Sequence, residues 1–496
     1  MNPTRNFLQV FQSRKMAILL FLGFSSGLPL FLTSKTLQLW MQDAKIDLGT
    51  ITLFSLVGVP YSLKFLWSPL LDRFVPPFLG RRRSWLILTQ IGLVLAIAAM
   101  ALQQPSQNLQ SLQILAIIAL IITFLSATQD IAGDAYRTDV LSPLEAGAGA
   151  SVWVLGYRMA LLATGFLALV LADYISWNAV YLFMAAFMGV GIIATLFAPS
   201  EPMLEGEQHT APISAKDGIF LLLFALLLAG LVGGLITGFI SLPTLSLLIA
   251  GLLVFWIVAA FVLPKRLNNV GESRPPQSLQ DAVVLPFQEF FGRFGVTQAS
   301  LILAFILLYK LGDSLVGITA NLFLQEINFS KTEIGAIQGG MGFFATTIGV
   351  LAGGAILTKI GMNRALWIFG ILQLLSNLGY YALAVFGKNY SLLVLAINIE
   401  NLCAGLITVV TVAYLMSLCN HSFTTTQFAL FSSLVAISRD IISAPAGQIA
   451  VMTGWSTFFL LSIVAALPGL LLLPFIAPWN SPPIAMAKPG LNDDDY

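Results

Sequence analysis
Apolar stretches of about 18 residues or more, long enough to cross a bilayer as a helix, follow one another along nearly the whole chain. Only 9% of the 496 residues are charged, where soluble domains carry about 25%, and the mean hydropathy is +0.88. The chain therefore reads as an all-α integral membrane protein. Fourteen spans are predicted, at about 16–40, 50–72, 84–104, 110–136, 148–172, 178–198, 218–240, 243–263, 299–325, 332–357, 364–386, 390–418, 424–450 and 455–478. The first is too long for a cleaved signal peptide and is expected to remain as a helix. The net charge of +1 says nothing about partners, but there is no basic patch of nucleic-acid type, and no nucleic-acid partner is expected. The two cysteines, Cys403 and Cys419, imply no disulfide framework.

The distribution of Lys and Arg orients the spans. With the N-terminus inside, one face receives Arg14, Lys15, Arg73, Arg81, Arg82, Arg83, Arg137, Lys216, Lys265, Arg266, Arg293, Lys359 and Arg364, among others. The opposite face receives Lys45, Lys331 and Lys388. Both termini are expected in the cytoplasm. An internal repeat accompanies this topology. S-V-W-V-L-G-Y-R ending at Arg158 is followed by Trp177, and S-S-L-V-A-I-S-R ending at Arg439 by Trp455, at offsets of about 281 and 278 residues. Asp72-Arg73 with Gly80-Arg81-Arg82-Arg83 has a counterpart around Gly354, Lys359 and Arg364.

Repeat, loop and topology together resemble the major facilitator superfamily, whose halves are parallel repeats. The expected layout is two six-helix bundles, 1–198 and 299–478, a linker at 199–298 and a tail at 479–496. The linker would hold an extra transmembrane hairpin at 218–264, which has no charged residue between Gly218 and Pro264. Gly230, Gly234 and Gly238 suit close helix packing there. A capping-box-like Ser278-Leu279-Gln280-Asp281 then opens an amphipathic run at 278–294, expected to lie on the cytoplasmic membrane surface.

Charges stranded inside the apolar spans mark the candidate site. Each costs several kcal/mol in hydrocarbon unless it faces a polar interior. Lys35, Lys64, Arg158, Lys310 and Arg439 are the cations, and Asp130, Asp134, Asp313 and Glu400 the acids. Asp130 and Asp134, four apart, project from one helix face, and close carboxylates favour a proton on one of them. The plainer reading of these two is a permanent ion pair with Arg158 or Arg137. Lys310 and Asp313, three apart, can pair on one face. Proton coupling is assigned to Asp130, Asp134, Asp313 and Glu400, because both histidines, His209 and His421, fall in predicted loops. That absence also excludes a histidine relay or haem ligation within the membrane, and no cofactor or metal site is expected. Substrate contacts are assigned to Lys35, Tyr61, Lys64, Trp67, Gln129, Arg158, Lys310, Asn321, Asn401 and Arg439, cations with aromatic and amide neighbours. Lys35 would alternatively snorkel to the headgroups. Asp72, Arg73, Arg81, Arg82 and Arg83 are assigned to gating at the cytoplasmic mouth. Gly27-Leu28-Pro29 and Pro445-Ala446-Gly447 are plausible bends.

An ATP-driven pump is disfavoured because no G-x-x-x-x-G-K-[ST] loop occurs. An enzyme is disfavoured by the scarcity of nucleophile–base candidates in the membrane. Longer segments narrow the class. L-G-F-S-S-G-L-P-L from Leu22, F-L-W-S-P-L-L-D-R-F from Phe65, S-A-T-Q-D-I-A-G-D-A from Ser126 and T-D-V-L from Thr138 resemble the AmpG family of muropeptide permeases. L-Y-K-L-G-D from Leu308, E-N-L-C from Glu400 and T-Q-F-A-L from Thr426 extend the resemblance through the second half. The resemblance implies proton-driven import of N-acetylglucosaminyl-1,6-anhydro-N-acetylmuramic acid, with or without its stem peptide, across the inner membrane of a Gram-negative bacterium. The role would be cell-wall recycling and, indirectly, β-lactamase induction. An anionic muropeptide, protons and the lipid bilayer would be the partners, with a monomer as default. The Q-D-I-x-x-D run equally suits acetyl-CoA-transporter relatives. An exporter of amphipathic drugs is the other alternative, with fewer demands on the internal cations.

Overall fold
The computed structural model describes residues 13–46, 51, 54–76, 78–106, 108–201, 279–439 and 445–480, with isolated positions at 230, 244 and 251. The extra hairpin expected at 218–264 lies outside the described residues apart from those three positions. Ten helical stretches among the described residues are long and apolar enough to cross a membrane. The first part comprises α1 (Arg14–Leu32), α2 (Lys35–Asp43), α3 (Val59–Leu63), α4 (Ser68–Arg73), α5 (Arg81–Ala101), α6 (Leu109–Val140), α7 (Ala146–Leu162), α8 (Ala168–Ala172) and α9 (Trp177–Leu196). The second comprises α10 (Leu279–Leu308), α11 (Leu311–Glu326), α12 (Lys331–Ile334), α13 (Phe343–Ile360), α14 (Met362–Phe386), α15 (Tyr390–Leu418), α16 (Thr424–Ile437), α17 (Ala446–Thr453), α18 (Trp455–Leu471) and α19 (Leu473–Ile476).

Local chemistry sets several boundaries. Ser13, Asn108, Ser176 and Asn389 each accept a backbone N–H of the first turn of α1, α6, α9 and α15, relieving donors that have no intrahelical partner. Three predicted spans are broken. The first pauses at Thr33 and Ser34, past Pro29, whose carbonyl accepts from the Thr33 hydroxyl at 3.0 Å. The region predicted as 50–72 is a chain of short helices and 3₁₀ turns in which Pro60 and Pro69 open α3 and α4. The third breaks at Tyr309 and Lys310, which places Asp313 in the first turn of α11.

Packing of the first part depends on close approach of α1 and α7. A Cβ on Gly156 would overlap the Leu20 carbonyl oxygen, and one on Gly23 would overlap that of Trp153. One apolar core lies wholly within residues 28–188 and another within 315–459. A third joins both parts, from Met16 and Phe65 through Trp153 to Val350, Tyr414 and Phe428. The two parts therefore share a core at one end, the end that carries the arginines of 81–83. The run predicted as a membrane-surface helix forms the first section of α10, which kinks at Gly295 (φ 72°). Phe287 and Phe290 are buried there, with the Phe290 ring 5.2 Å from Phe431 of α16. Its aromatic face thus rests on protein rather than on lipid.

Candidate functional site
Two clusters of half-buried ions occupy the interior, one in each part. In the first, Asp134 on α6 lies 3.7 Å from Lys64 Nζ and 2.9 Å from Arg137, one helical turn along. Asp130, a turn deeper, accepts a hydrogen bond from the Ser26 hydroxyl of α1 at 2.8 Å. Tyr61 donates its phenol to Ser126 at 3.0 Å, beside Asp130. In the second cluster Lys310 lies 3.8 Å from Asp313 and 3.4 Å from Thr408 of α15. Asp313 also accepts from Gln373 at 2.9 Å. Glu400 accepts from Asn401 at 2.9 Å, and the Asn401 carbonyl accepts from Thr346 at 2.9 Å. Asp313 and Lys310 both act electrostatically on Glu400.

Arg158 and Tyr157, adjacent on α7, face the second and first clusters respectively. The Arg158 guanidinium lies within Coulombic reach of Glu400 on α15, and its Nε is buried without a hydrogen-bond partner. Tyr157 beside it senses Asp130, Tyr61 and Asp134 from its own part and Arg439 from the other. Opposite charges on facing helices with uncommitted donors are what an anionic solute can engage, and carboxylates paired to lysines can exchange a proton for a salt bridge.

The remaining assigned residues are placed differently. Lys35 is exposed, with its ammonium 4.9 Å from the Phe31 ring centroid. Asn321 is exposed on α11, and among the described residues no hydrogen bond joins it to either cluster. Trp67 is 2% exposed and donates to Thr128 at 3.1 Å, packed against Phe124. Gln129 is 1% exposed and donates to Ser25 at 3.0 Å. Neither Trp67 nor Gln129 presents a surface to a solute in this conformation, because helix packing takes up both.

The arginine-rich end is closed by a polar network across the two parts. Asp72 accepts from Arg81 at 3.1 Å and Arg82 at 3.0 Å through one carboxylate oxygen. Its other oxygen accepts the Thr426 amide at 2.9 Å and the Thr426 hydroxyl at 2.7 Å. Thr426 stands in the first turn of α16, where backbone N–H groups have no intrahelical partner. A carboxylate of one part thus caps a helix of the other, with the favourable sign for a helix N-terminus. Asp139 repeats the arrangement. It pairs with Arg82 at 3.0 Å and accepts from Thr424 and His421 across the junction. Arg81 also donates to the His421 and Ser422 carbonyls, and Ser151 of α7 donates to the Val350 carbonyl of α13 at 2.8 Å. Arg83 stays within its own part, bound to Glu201 at 3.3 Å, and Arg73 is buried with its guanidinium 5.3 Å from the Phe74 ring. Sequence reasoning named Asp72 and the arginines but not Asp139, Thr424 or Thr426. The short motifs containing Asp139 and Thr426 are visible in the sequence, whereas a helix N-terminus meeting a distant carboxylate has no local signal.

The fold is that of solved membrane transporters. The human organic anion transporter MFSD10 (TETRAN) aligns at a TM-score of 0.55 with 16% identity, covering 95% of this chain and 100% of that one. A bacterial homologue of the iron transporter ferroportin, in an outward-facing state, aligns at 0.57 with 14% identity, covering 93% and 97%. All-helical architecture, half-buried ion clusters and a polar closure at one end are those of a membrane transporter. Residues 15–185 match the family model described as Acetyl-coenzyme A transporter 1. Across nearly the whole chain, the anhydromuropeptide permease of Escherichia coli K12 is 43% identical over 469 residues, 94% of this chain and 80% of that protein. The chain belongs to the anhydromuropeptide permease (AmpG) family.

Proposed function
We propose that the protein imports anhydromuropeptides from periplasm to cytoplasm by proton symport and alternating access. The 43% identity to the E. coli anhydromuropeptide permease carries this reading. The proposed layout is fourteen helices in two six-helix bundles with an extra hairpin between them. Both termini and the arginine-rich end face the cytoplasm of a Gram-negative cell, as the Lys/Arg asymmetry supports. The closed junction at Asp72 and Asp139 is then the cytoplasmic gate, and the conformation described is shut toward the cytoplasm. Arg158, Lys64 and Lys310 meet the carboxylates of the stem peptide, or the lactyl carboxylate where the peptide is absent, and Tyr61 and Asn401 contact the disaccharide. Substrate carboxylates compete with Asp134 and Asp313 for their lysines, and protons on those acids remove the competition. Release inside follows when the acids lose their protons and reclaim the lysines.

The match of residues 15–185 to an acetyl-coenzyme A transporter model favours a second, CoA-ester reading. Counterflow in proteoliposomes separates the two without any ion gradient. Labelled anhydro-disaccharide tripeptide should exchange with the unlabelled compound and be insensitive to excess acetyl-CoA. Exchange of acetyl-CoA with no muropeptide exchange would overturn the proposal.

A further inference from the structure
Arg137 lies between the α6 carboxylates and the gate. The residue is 1% exposed, and its ion pair among the described residues is with Asp134, at 2.9 Å. The guanidinium is held between two rings, 4.8 Å from Trp153 on α7 and 5.4 Å from Phe428 on α16. Phe428 belongs to the other part and follows by two residues Thr426, which binds Asp72 across the gate. The Arg137 Nε is buried without a hydrogen-bond partner. One residue therefore touches a proposed proton site through an ion pair and the closed junction through an aromatic stack.

We propose that Arg137 is the positioning residue that transmits the state of Asp134 to the cytoplasmic gate. The closed junction buries the guanidinium, and that burial is sustained while Asp134 is ionised. When Asp134 is neutral, the closed state holds a buried cation that has lost its counter-ion, a strongly unfavourable arrangement. Opening the junction separates Phe428 from Arg137 and lets water reach the guanidinium. A proton arriving from the periplasm thus favours opening toward the cytoplasm, the sign that import requires. The inference rests on the proton-symport reading. The ionisable groups acting on or through Asp134 are Lys64, Arg137, Asp130 and the Tyr157 phenol. Those acting on Arg137 are Asp134, Asp130 and the Cys419 thiol.

Cys419 supplies a native reporter. It is 9% exposed beside the junction, with its thiol donating to the Leu415 carbonyl. In full-length protein in proteoliposomes, with Cys403→Ala, the rate of Cys419 alkylation by a small maleimide is measured at one fixed pH. Asp134→Asn, which mimics the protonated acid, should raise that rate at least about tenfold, because the closed state then buries a cation stripped of its ion-pair partner, with only Asp130 acting on it without a direct ion pair. Asp134→Asn/Arg137→Gln should return it to near the parental value, since neither charge remains. Arg137→Gln alone should keep counterflow while losing gradient-driven accumulation, which a merely structural role would not do. Unchanged alkylation in Asp134→Asn, or no recovery in the double variant, would overturn the role of Arg137 and leave the symport reading standing. Gradient-independent uptake by the parental protein would instead overturn the symport reading.

Discussion

Asp72→Asn tests the proposed gate at the carboxylate that joins the two parts. The carboxylate accepts two hydrogen bonds from Arg81 and Arg82 within its own part and two from Thr426 across the junction. The first pair persists when the gate opens and cancels from the equilibrium, so the Thr426 pair sets the effect. An asparagine has one acceptor oxygen. Kept toward the arginines, it turns an NH₂ group toward the Thr426 amide and hydroxyl. Turned the other way, it presents that NH₂ group to two guanidinium donors. Hydrogen bonds to charged groups contribute about 1.5–3 kcal/mol each. The Thr426 hydroxyl can rotate and accept instead, so the closed state loses about 2–4 kcal/mol rather than the full sum. At about 1.4 kcal/mol per tenfold, the closed-to-open ratio falls roughly 30- to 1000-fold. The Thr426 amide is itself one of the donors, so hydrogen exchange over residues 420–427 reads the gate directly. The substitution should lower protection of that segment by a comparable factor while leaving the interior of α5 unchanged. Protection within about threefold of the parental protein would refute the cross-junction cap, since the hydrogen bonds at stake predict at least tenfold.

Three further outcomes follow from packing and charge. Gly156→Val should lower the melting midpoint in detergent by the equivalent of about 1–3 kcal/mol or more, because its Cβ would meet backbone atoms of Leu20 and Phe24 on α1; an unchanged midpoint would contradict the α1–α7 contact. Glu289, buried in α10, accepts from Gln427 and Asn420 and pairs with Arg293 at 3.0 Å. Glu289→Ala should destabilise by about 2–3 kcal/mol and Glu289→Ala/Arg293→Ala by less than the sum of the single changes, and additive melting shifts would show the two to be independent. Lys310→Ala should abolish uptake and lower folded yield through an unpaired Asp313, and Lys310→Ala/Asp313→Ala should recover the yield but not the uptake; equal yields would show that the 3.8 Å pair carries no weight.

Much of the interior was legible because a charge in an apolar span announces itself. Asp130, Asp134, Lys64, Lys310, Asp313, Arg158 and Glu400 were all named from that property, and Lys310 with Asp313 from helical spacing. Partner choice was less legible. Asp134 takes Arg137, which spacing along α6 allows, and also Lys64 from a different span, which no spacing reveals. Trp67 and Gln129 read as cavity residues from their type, yet their hydrogen bonds go to Thr128 and Ser25 of adjoining helices. The amphipathic pattern of 278–294 identified an apolar face, but periodicity cannot distinguish lipid from Phe431 as the surface that covers it. The cross-junction cap is legible on the Asp72 side and hidden on the Thr426 side, because a helix N-terminus carries its partial charge in the backbone rather than in a side chain.

Coupled accumulation tests the central claim most directly. Purified protein in proteoliposomes, with equal concentrations of labelled anhydro-disaccharide tripeptide on both sides, would receive an inward proton gradient at zero membrane potential. Proton symport predicts net accumulation above the starting concentration, lost when the gradient is collapsed with a protonophore. Equal internal concentrations with and without the gradient, in vesicles that still exchange substrate, would contradict proton symport.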